Sequence, residues 1–412
     1  MSYYQETVLK NGLRLITSTN KNATVAVVSL WVKAGSRYEK KEESGYAHFL
    51  EHLLCKNLKD FCNDANYYSI GAYINGRTTR ENMFLIVEAS AKYTGELLSI
   101  LNASTRQFDS DYYKFETQKK VIIQEMQIGK DNPQKLLTWS AFKVLLGDHP
   151  LAKESIGSSE TIKNATAEKI EEYQKNFFTP NRSALIVVSN LTHAEVLKLT
   201  AGYFELWKSN VDLKPEERFD ISKEHENYLY IPNTNKQTLV MINFHTPGGG
   251  NMKDEASLVV LANYLGSGHR ALLQEKLRHE TGLVYRVNIF NNKYADAGIF
   301  QISTSSSEPV RTINIIFDSL YNFLNNLSPL EIEETKERVI NTFDHFNANP
   351  RNETMFLGQG FVLFSRLFKP EDYKKLIGEV TFKDVVNTGM KYLKRSNSLV
   401  AVLGPEDIKE KI

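Results

Sequence analysis

Polar and apolar residues alternate across Val8-Leu9-Lys10-Asn11-Gly12-Leu13-Arg14-Leu15. The Asn-Gly pair at the centre suits a type I′ turn, so a β-hairpin is predicted there. Residues 24–32 are rich in β-branched side chains and read as a further strand, ending at Ala34-Gly35. After the polar stretch 36–43 the period changes. Tyr46-Ala47-His48-Phe49-Leu50-Glu51-His52-Leu53-Leu54 holds no Pro or Gly, and its apolar side chains recur at helical spacing, which predicts one buried helix. The segment 71–79 and a strand over 83–89 follow. Helical patterns then cover 93–106, 112–128, 134–146 and 167–177, and 184–188 reads as a buried strand.

The second half repeats this plan. Strands are predicted over 227–231 and 238–244, helices over 253–265 and 270–279, a strand over 298–304, further helices, and a closing strand over 398–403. The halves also end alike, with a polar turn (Thr179-Pro180-Asn181-Arg182-Ser183, then Lys394-Arg395-Ser396-Asn397) leading into the last strand of each. Strands, then helices, then strands point to an α+β fold rather than strict βαβ alternation. Similar halves point to a duplicated domain. The expected division is an N-terminal α+β domain over 1–210, a charged linker over 211–224 containing Pro215, and a homologous C-terminal α+β domain over 225–412.

Size and composition agree with that division. A chain of 412 residues is too long for one ordinary core, and 42% hydrophobic with 24% charged residues is the balance of a globular protein in water. Lys and Arg total 50 against 49 Asp and Glu, so charge gives no argument for a nucleic-acid partner or an anionic membrane surface. No apolar run is long enough to span a bilayer. The opening Met1-Ser2-Tyr3-Tyr4-Gln5-Glu6 lacks the marks of a signal or transit peptide, so a cytoplasmic location is the default expectation. Two cysteines, Cys55 and Cys62, do not make a disulfide scaffold. Cys55 follows His52 by three residues and is either a ligand, a redox-sensitive neighbour or a small buried side chain.

The helix at 46–54 carries the candidate chemistry. Positions i, i+3 and i+4 share a helix face, so His48, Glu51 and His52 point the same way. Two imidazoles one turn apart can bind a single Zn²⁺ ion, and a carboxylate beside them can take a proton from water held there. Glu51 cannot join both histidines as a ligand without distorting the helix face, so its expected task is that of general base. Tetrahedral zinc needs a further protein ligand, and Glu81, Glu88, Glu96, Glu116 and Glu125 all lie downstream. Glu125 stands out within Val121-Ile122-Ile123-Gln124-Glu125-Met126, an apolar setting in which an unpaired carboxylate is costly, whereas Glu116 sits among lysines.

H-x-x-E-H is the inverted zinc motif, and Ser44-Gly45-Tyr46-Ala47-His48-Phe49-Leu50-Glu51-His52 resembles the signature of the pitrilysin/insulinase family of zinc peptidases. The resemblance runs nearly end to end, and the chain length is similar to the short branch that includes mitochondrial processing peptidase subunits and their bacterial relatives. It implies two homologous α+β domains, helices packed on mixed sheets, and one zinc ion per chain. It also implies Glu125 as the third ligand, since the family's distal glutamate lies in a segment like Val-Ile-x-x-Glu-Met. One departure is Gln118, which stands two turns before Glu125 where the family commonly has a second glutamate supporting the site. An amide can still hydrogen-bond a ligand but lacks the charge that raises a neighbour's basicity.

Two further sets of residues enter only through the resemblance. Leu277-Arg278-His279-Glu280-Thr281-Gly282-Leu283-Val284-Tyr285 is similar to the family's Arg-Glu-x-x-Gly-Leu-x-Tyr, with His279 in place of that Glu. Carried over, Arg278 binds a substrate carbonyl and Tyr285 donates to the tetrahedral intermediate. His269, just upstream, has no role assigned. Residues 71–79 resemble the family's edge strand, which pairs with an extended peptide; Asn75 would contact that backbone, or else it simply sets a turn before Gly76. Two short chains reproduce the length of the family's long enzymes, so a homodimer is implied, with Arg278 and Tyr285 completing a zinc site in a shared chamber. The expected activity is that of a zinc metalloendopeptidase acting on unfolded peptides or small proteins. The alternatives are a partner subunit of a heterodimeric peptidase and a maturation protease dedicated to one small peptide.

Overall fold

Why one sheet here buries both of its faces follows from its strands. Val25–Val32 (β3) and Ser183–Ser189 (β6) are near-continuous apolar runs, the pattern of strands covered on two sides. A computed structural model of the chain describes residues 3–65, 67–108, 111–208, 218–219, 225–268 and 270–412. His269 and most of the expected linker 211–224 lie outside the described residues. Two compact units emerge, one formed by Met1–Gln127, Lys153–Glu217 and His345–Lys369, the other by Ile128–Ala152, Arg218–Asp344 and Pro370–Ile412.

In the first unit Tyr3–Val8 (β1), Arg14–Thr19 (β2), β3, Tyr73–Thr78 (β4), Met83–Ser90 (β5) and β6 form a sheet in the order β1-β2-β6-β3-β5-β4. Only β2 and β6 run parallel. The predicted hairpin is β1–β2, but its turn is not type I′: Asn11 is not left-handed, Gly12 N–H donates to the Leu9 carbonyl at 2.9 Å, and Gly12 alone, at φ +88°, takes the left-handed position. Tyr46–Asp64 (α1), Thr94–Asn102 (α2) and Tyr112–Asp131 (α3) are the helices that matter for the site. One sheet face buries Leu15, Val28, Leu30, Leu85, Val87 and Leu185 in a single cluster with Phe49, Leu50, Leu53 and Leu54 of α1 and Leu97 and Leu98 of α2. Each such side chain contributes about 1.5–3 kcal/mol of transfer free energy. The pleat turns Ile16, Trp31, Phe84 and Ile186 to the other face, where Leu357 and Phe361 of the helix Pro350–Phe364 cover them. Gly358 makes this possible, since a Cβ there would come within 2.0 Å of the Trp31 ring.

The second unit repeats the topology, with no counterpart of β1 among the described residues. Tyr228–Pro232 (β7), Thr238–Pro247 (β8), Val287–Lys293 (β9), Ala297–Ser306 (β10) and Ser398–Gly404 (β11) take the order β7-β11-β8-β10-β9, with β7 and β11 parallel and the rest antiparallel. Here the second sheet face is covered by Pro133–Leu146 (α4), whose Leu137, Ala141, Phe142 and Leu145 pack with Met241, Ile299, Leu399 and Ala401. Each sheet thus takes one covering helix from the opposite half of the sequence, 345–369 in one unit and 128–152 in the other. The fold is α+β, two sheets of mixed but mostly antiparallel strands packed with helices. No helix among the described residues is long and apolar enough to cross a membrane.

Candidate metal centre

The helix α1 begins where the chain allows no side chain. Gly45 sits at φ +93°, and a Cβ there would meet the Ile156 carbonyl oxygen at 2.9 Å. Glu39 anchors this end by accepting the N–H groups of Gly45 (2.8 Å) and Ala47 (2.9 Å), two donors with no partner inside the helix. His48, Glu51 and His52 then project from one face, with the two imidazole rings edge to face at 4.6 Å between centroids. His48 and Glu51 are buried and His52 is half-buried.

The fourth group arrives from α3. Glu125 Oε2 lies 3.6 Å from His48 Nε2 and 3.5 Å from His52 Nε2, and the three donor atoms all fall within 4.8 Å of one another. Ligands around tetrahedral zinc, with bonds near 2.0–2.1 Å, stand about 3.3 Å apart, so this donor set fits such an ion. Gln118, two turns earlier on α3, lies 3.2 Å from His52 Nδ1 through its Oε1. A proton on that Nδ1 leaves the Nε2 lone pair facing Glu125 and the site. Three of the other candidate acids are engaged elsewhere. Glu81 forms a buried ion pair with Arg37 at 2.6 Å, Glu88 pairs with Arg351 at 2.8 Å, and Glu116 pairs with Lys119 at 2.8 Å. Glu125 is not deeply buried, since its side chain is 45% exposed and Val121 and Ile128 of the same helix are exposed too. The apolar run around it marks a helix with a solvent-facing side rather than a core element, so the position agrees with the expectation and the burial argument for it does not.

Charge on the site is set by burial. Desolvation holds His48 down at about 4, with His52 adding to the effect and Glu125 opposing it, so its imidazole is neutral and available as a donor. Burial acts to lower His52 as well, but Glu125, Glu51 and Gln118 outweigh it and leave that imidazole raised. Glu51 is raised by burial, against the lowering effects of His52 and of hydrogen bonds from Thr78 and Cys55. A buried carboxylate of raised pKa, 3.9 Å from His48 Nε2, has the character of a proton acceptor. Burial pushes the Cys55 thiol well above its usual value, with Glu51 adding to the effect, and its Sγ lies against Glu51 Oε1 at 3.7 Å, outside the group formed by His48, His52 and Glu125.

The edge of the first sheet passes directly over Glu51. On β4, Ile74, Gly76 and Thr78 face α1, while Tyr73, Asn75 and Arg77 are exposed on the opposite face. Asn75 therefore stands on the edge strand but not on the side of Glu51; its Nδ2 donates to the Tyr73 hydroxyl at 2.8 Å and its Oδ1 accepts from the Gly76 N–H at 3.0 Å. Thr78 and Glu39 escaped the sequence reading. Gly76 gave the available signal, since a glycine inside a strand often marks a close backbone approach. In the second unit, Arg278 and Tyr285 lie together, the guanidinium 5.0 Å from the centre of the Tyr285 ring, and both are exposed, Tyr285 by 80%.

Residues 14–158 match the family model for insulinase, peptidase family M16, and residues 164–339 match that for the peptidase M16 inactive domain. A protein of Rickettsia bellii named as an uncharacterised zinc protease is 23% identical over 407 residues, covering 97% of each chain. The mitochondrial-processing peptidase subunit beta of Neurospora crassa is 22% identical over 429 residues, covering 97% of this chain and 87% of its own. The crystal structure of a protease from Helicobacter pylori superposes with a TM-score of 0.88 at 21% identity, covering 98% of this chain and 100% of that one. With the inverted motif on α1, its distal glutamate on α3 and a sheet of like strand order in each unit, the chain belongs to peptidase family M16, the pitrilysin/insulinase family.

Proposed function

We propose that this chain is a zinc-dependent endopeptidase that hydrolyses unfolded peptides or small proteins, with Glu51 as the general base. The reading is carried by the convergence of His48 Nε2, His52 Nε2 and Glu125 Oε2 within 4.8 Å, beside the buried carboxylate of Glu51. One ion per chain would be held by those three residues, and when bound it polarises a substrate carbonyl and lowers the pKa of a water to about 7. Glu51 accepts the water's proton and returns it to the leaving amine. Gln118 keeps His52 in the tautomer and orientation that serve the site. Among the described residues β4 is paired on one side only, with β5, so its outer edge can take an extended peptide by strand addition, which reads backbone more than side chains.

Arg278 and Tyr285 enter the proposal as substrate contacts, the first binding a peptide carbonyl and the second donating to the developing oxyanion. Their mutual contact and exposure support this use. We further propose a homodimer in which each zinc site is completed by the partner chain's copies of these two residues. The relative named as a subunit of mitochondrial-processing peptidase favours a second arrangement, pairing with a related chain rather than with a copy. Glu51→Gln tests the chemistry. The variant is expected to keep its zinc while losing at least ~100-fold in hydrolysis of a peptide library, and full activity in it would end the mechanism.

A further inference from the structure

We propose that Thr78, on the edge strand β4, is a positioning residue for Glu51, so that the strand offered to a peptide also aims the group that takes the proton. This rests on Glu51 being the general base of the proposed peptidase. Thr78 Oγ1 donates to Glu51 Oε2 at 3.1 Å, and both residues are buried. From one turn further along α1, Cys55 Sγ donates to the other carboxylate oxygen at 3.7 Å. Each oxygen of Glu51 thus has one side-chain donor, and the hydroxyl is the stronger of the two because a thiol donates only weakly.

The strand comes close enough to do this because Gly76, on the same face two residues earlier, has no side chain. A Cβ there would stand 2.7 Å from both Glu51 Oε1 and Cys55 Sγ. The last torsion of a glutamate is broad and roughly two-fold, so burial alone does not select one orientation of the carboxylate. A donor fixed on a strand does select it, and general-base transfer tolerates an error of only about 10–20°. β4 pairs with β5 along one side, and its other side, unpaired among the described residues, is the edge at which a peptide would add. Docking there tightens the strand that carries the Thr78 hydroxyl, so binding of the peptide backbone and alignment of Glu51 become one event.

Thr78→Val removes the hydroxyl at nearly constant shape, and Thr78→Ser keeps it. The valine variant is expected to lose ~10- to 100-fold in kcat with KM within about threefold of the unmodified protein. Its zinc retention under chelator competition should be unchanged, and the serine variant should recover most of the loss. An infrared difference spectrum between unmodified protein and Glu51→Gln isolates the Glu51 carboxyl band independently of activity. That band should shift in Thr78→Val and return in Thr78→Ser. An unmoved band, an unchanged kcat, or a serine variant as impaired as the valine one overturns the proposal. A band that responds as expected in a protein that cleaves no peptide overturns the peptidase reading instead, and with it the catalytic role of Thr78.

Discussion

Glu39 shows how one buried side chain links the zinc helix to pH. The residue is 2% exposed, and its carboxyl group accepts two backbone N–H groups at the start of α1 and lies near Lys153. Burial nevertheless dominates and raises it from the usual 4.5 to about 7, against the lowering effects of those two hydrogen bonds and of Lys153. Between those values the folded chain holds a proton that the unfolded chain has released. Stability from this group is therefore greatest at low pH and falls as pH rises through the window, by about 3 kcal/mol at most. Glu39→Gln keeps an oxygen for the backbone donors and removes the titration. Denaturant midpoints of the two proteins should run together near pH 5 and separate by pH 7, with the glutamine variant the more stable. Parallel profiles would mean that Glu39 does not hold its proton in the folded state. His48 and His52 were legible as a pair because a helix repeats by a fixed angle. Glu39 was not, because nothing in the local pattern of Arg37-Tyr38-Glu39-Lys40 tells that the chain turns this acid inward beneath a helix start.

At the scale of elements, β4 has a requirement that neither conformational freedom nor helix propensity explains. Gly76 has no left-handed backbone; what the position needs is room, since the nearest atoms to an added Cβ belong to Glu51 and Cys55 in a packed interior. Gly76→Ala must push the strand outward or turn Glu51 away, an overpacking cost of about 1–3 kcal/mol. The variant is expected to stay folded by circular dichroism and to lose at least ~10-fold in peptide hydrolysis, because a displacement near 1 Å at a reacting group is enough for such a loss. A fully active Gly76→Ala would show that β4 does not constrain Glu51. The strand was anticipated along residues 71–79, yet alternation of Tyr-Ile-Asn-Gly-Arg-Thr does not say which set faces the helix. Only the placement of β4 against α1 decides that, and it turns Asn75 to the other face. The predicted helix over 270–279 became a short turn, Leu272–Gln274, followed by a π-helical segment, Glu275–Glu280, in which Thr281 Oγ1 donates to the carbonyls of Lys276 and Leu277 at 3.0 Å. Apolar spacing cannot announce a widened turn. β9 passed unread because Asn288, Asn291 and Asn292 dilute the pattern of a half-covered edge strand.

For the whole chain, duplication was visible in the sequence because each half opens and closes with the same kinds of strand, and the five strands of the second sheet repeat the order of β2-β6-β3-β5-β4 in the first. The exchange of covering helices was not visible. Periodicity marks the apolar face of residues 134–146 or 350–364 but carries no label for the sheet that face will meet. Assembly is the next level, and the proposed homodimer makes a quantitative demand there. If each zinc site takes Arg278 from the partner chain, His48→Ala and Arg278→Ala should each be inactive alone. In a mixed dimer, the sites are not equivalent. One combines the chain lacking His48 with the partner lacking Arg278 and is doubly impaired, while the other combines intact His48 with intact Arg278. Random exchange of equal amounts makes half of the dimers mixed, each with one working site of two, so hydrolysis should return to roughly a quarter of the unmodified rate. Refolding the two variants together, confirming mixed dimers by native mass spectrometry of differently tagged chains, and then measuring turnover gives the answer. Mixed dimers that stay inactive would assign Arg278 to its own chain's site, whereas an Arg278→Ala protein that is active by itself would assign it to no site at all.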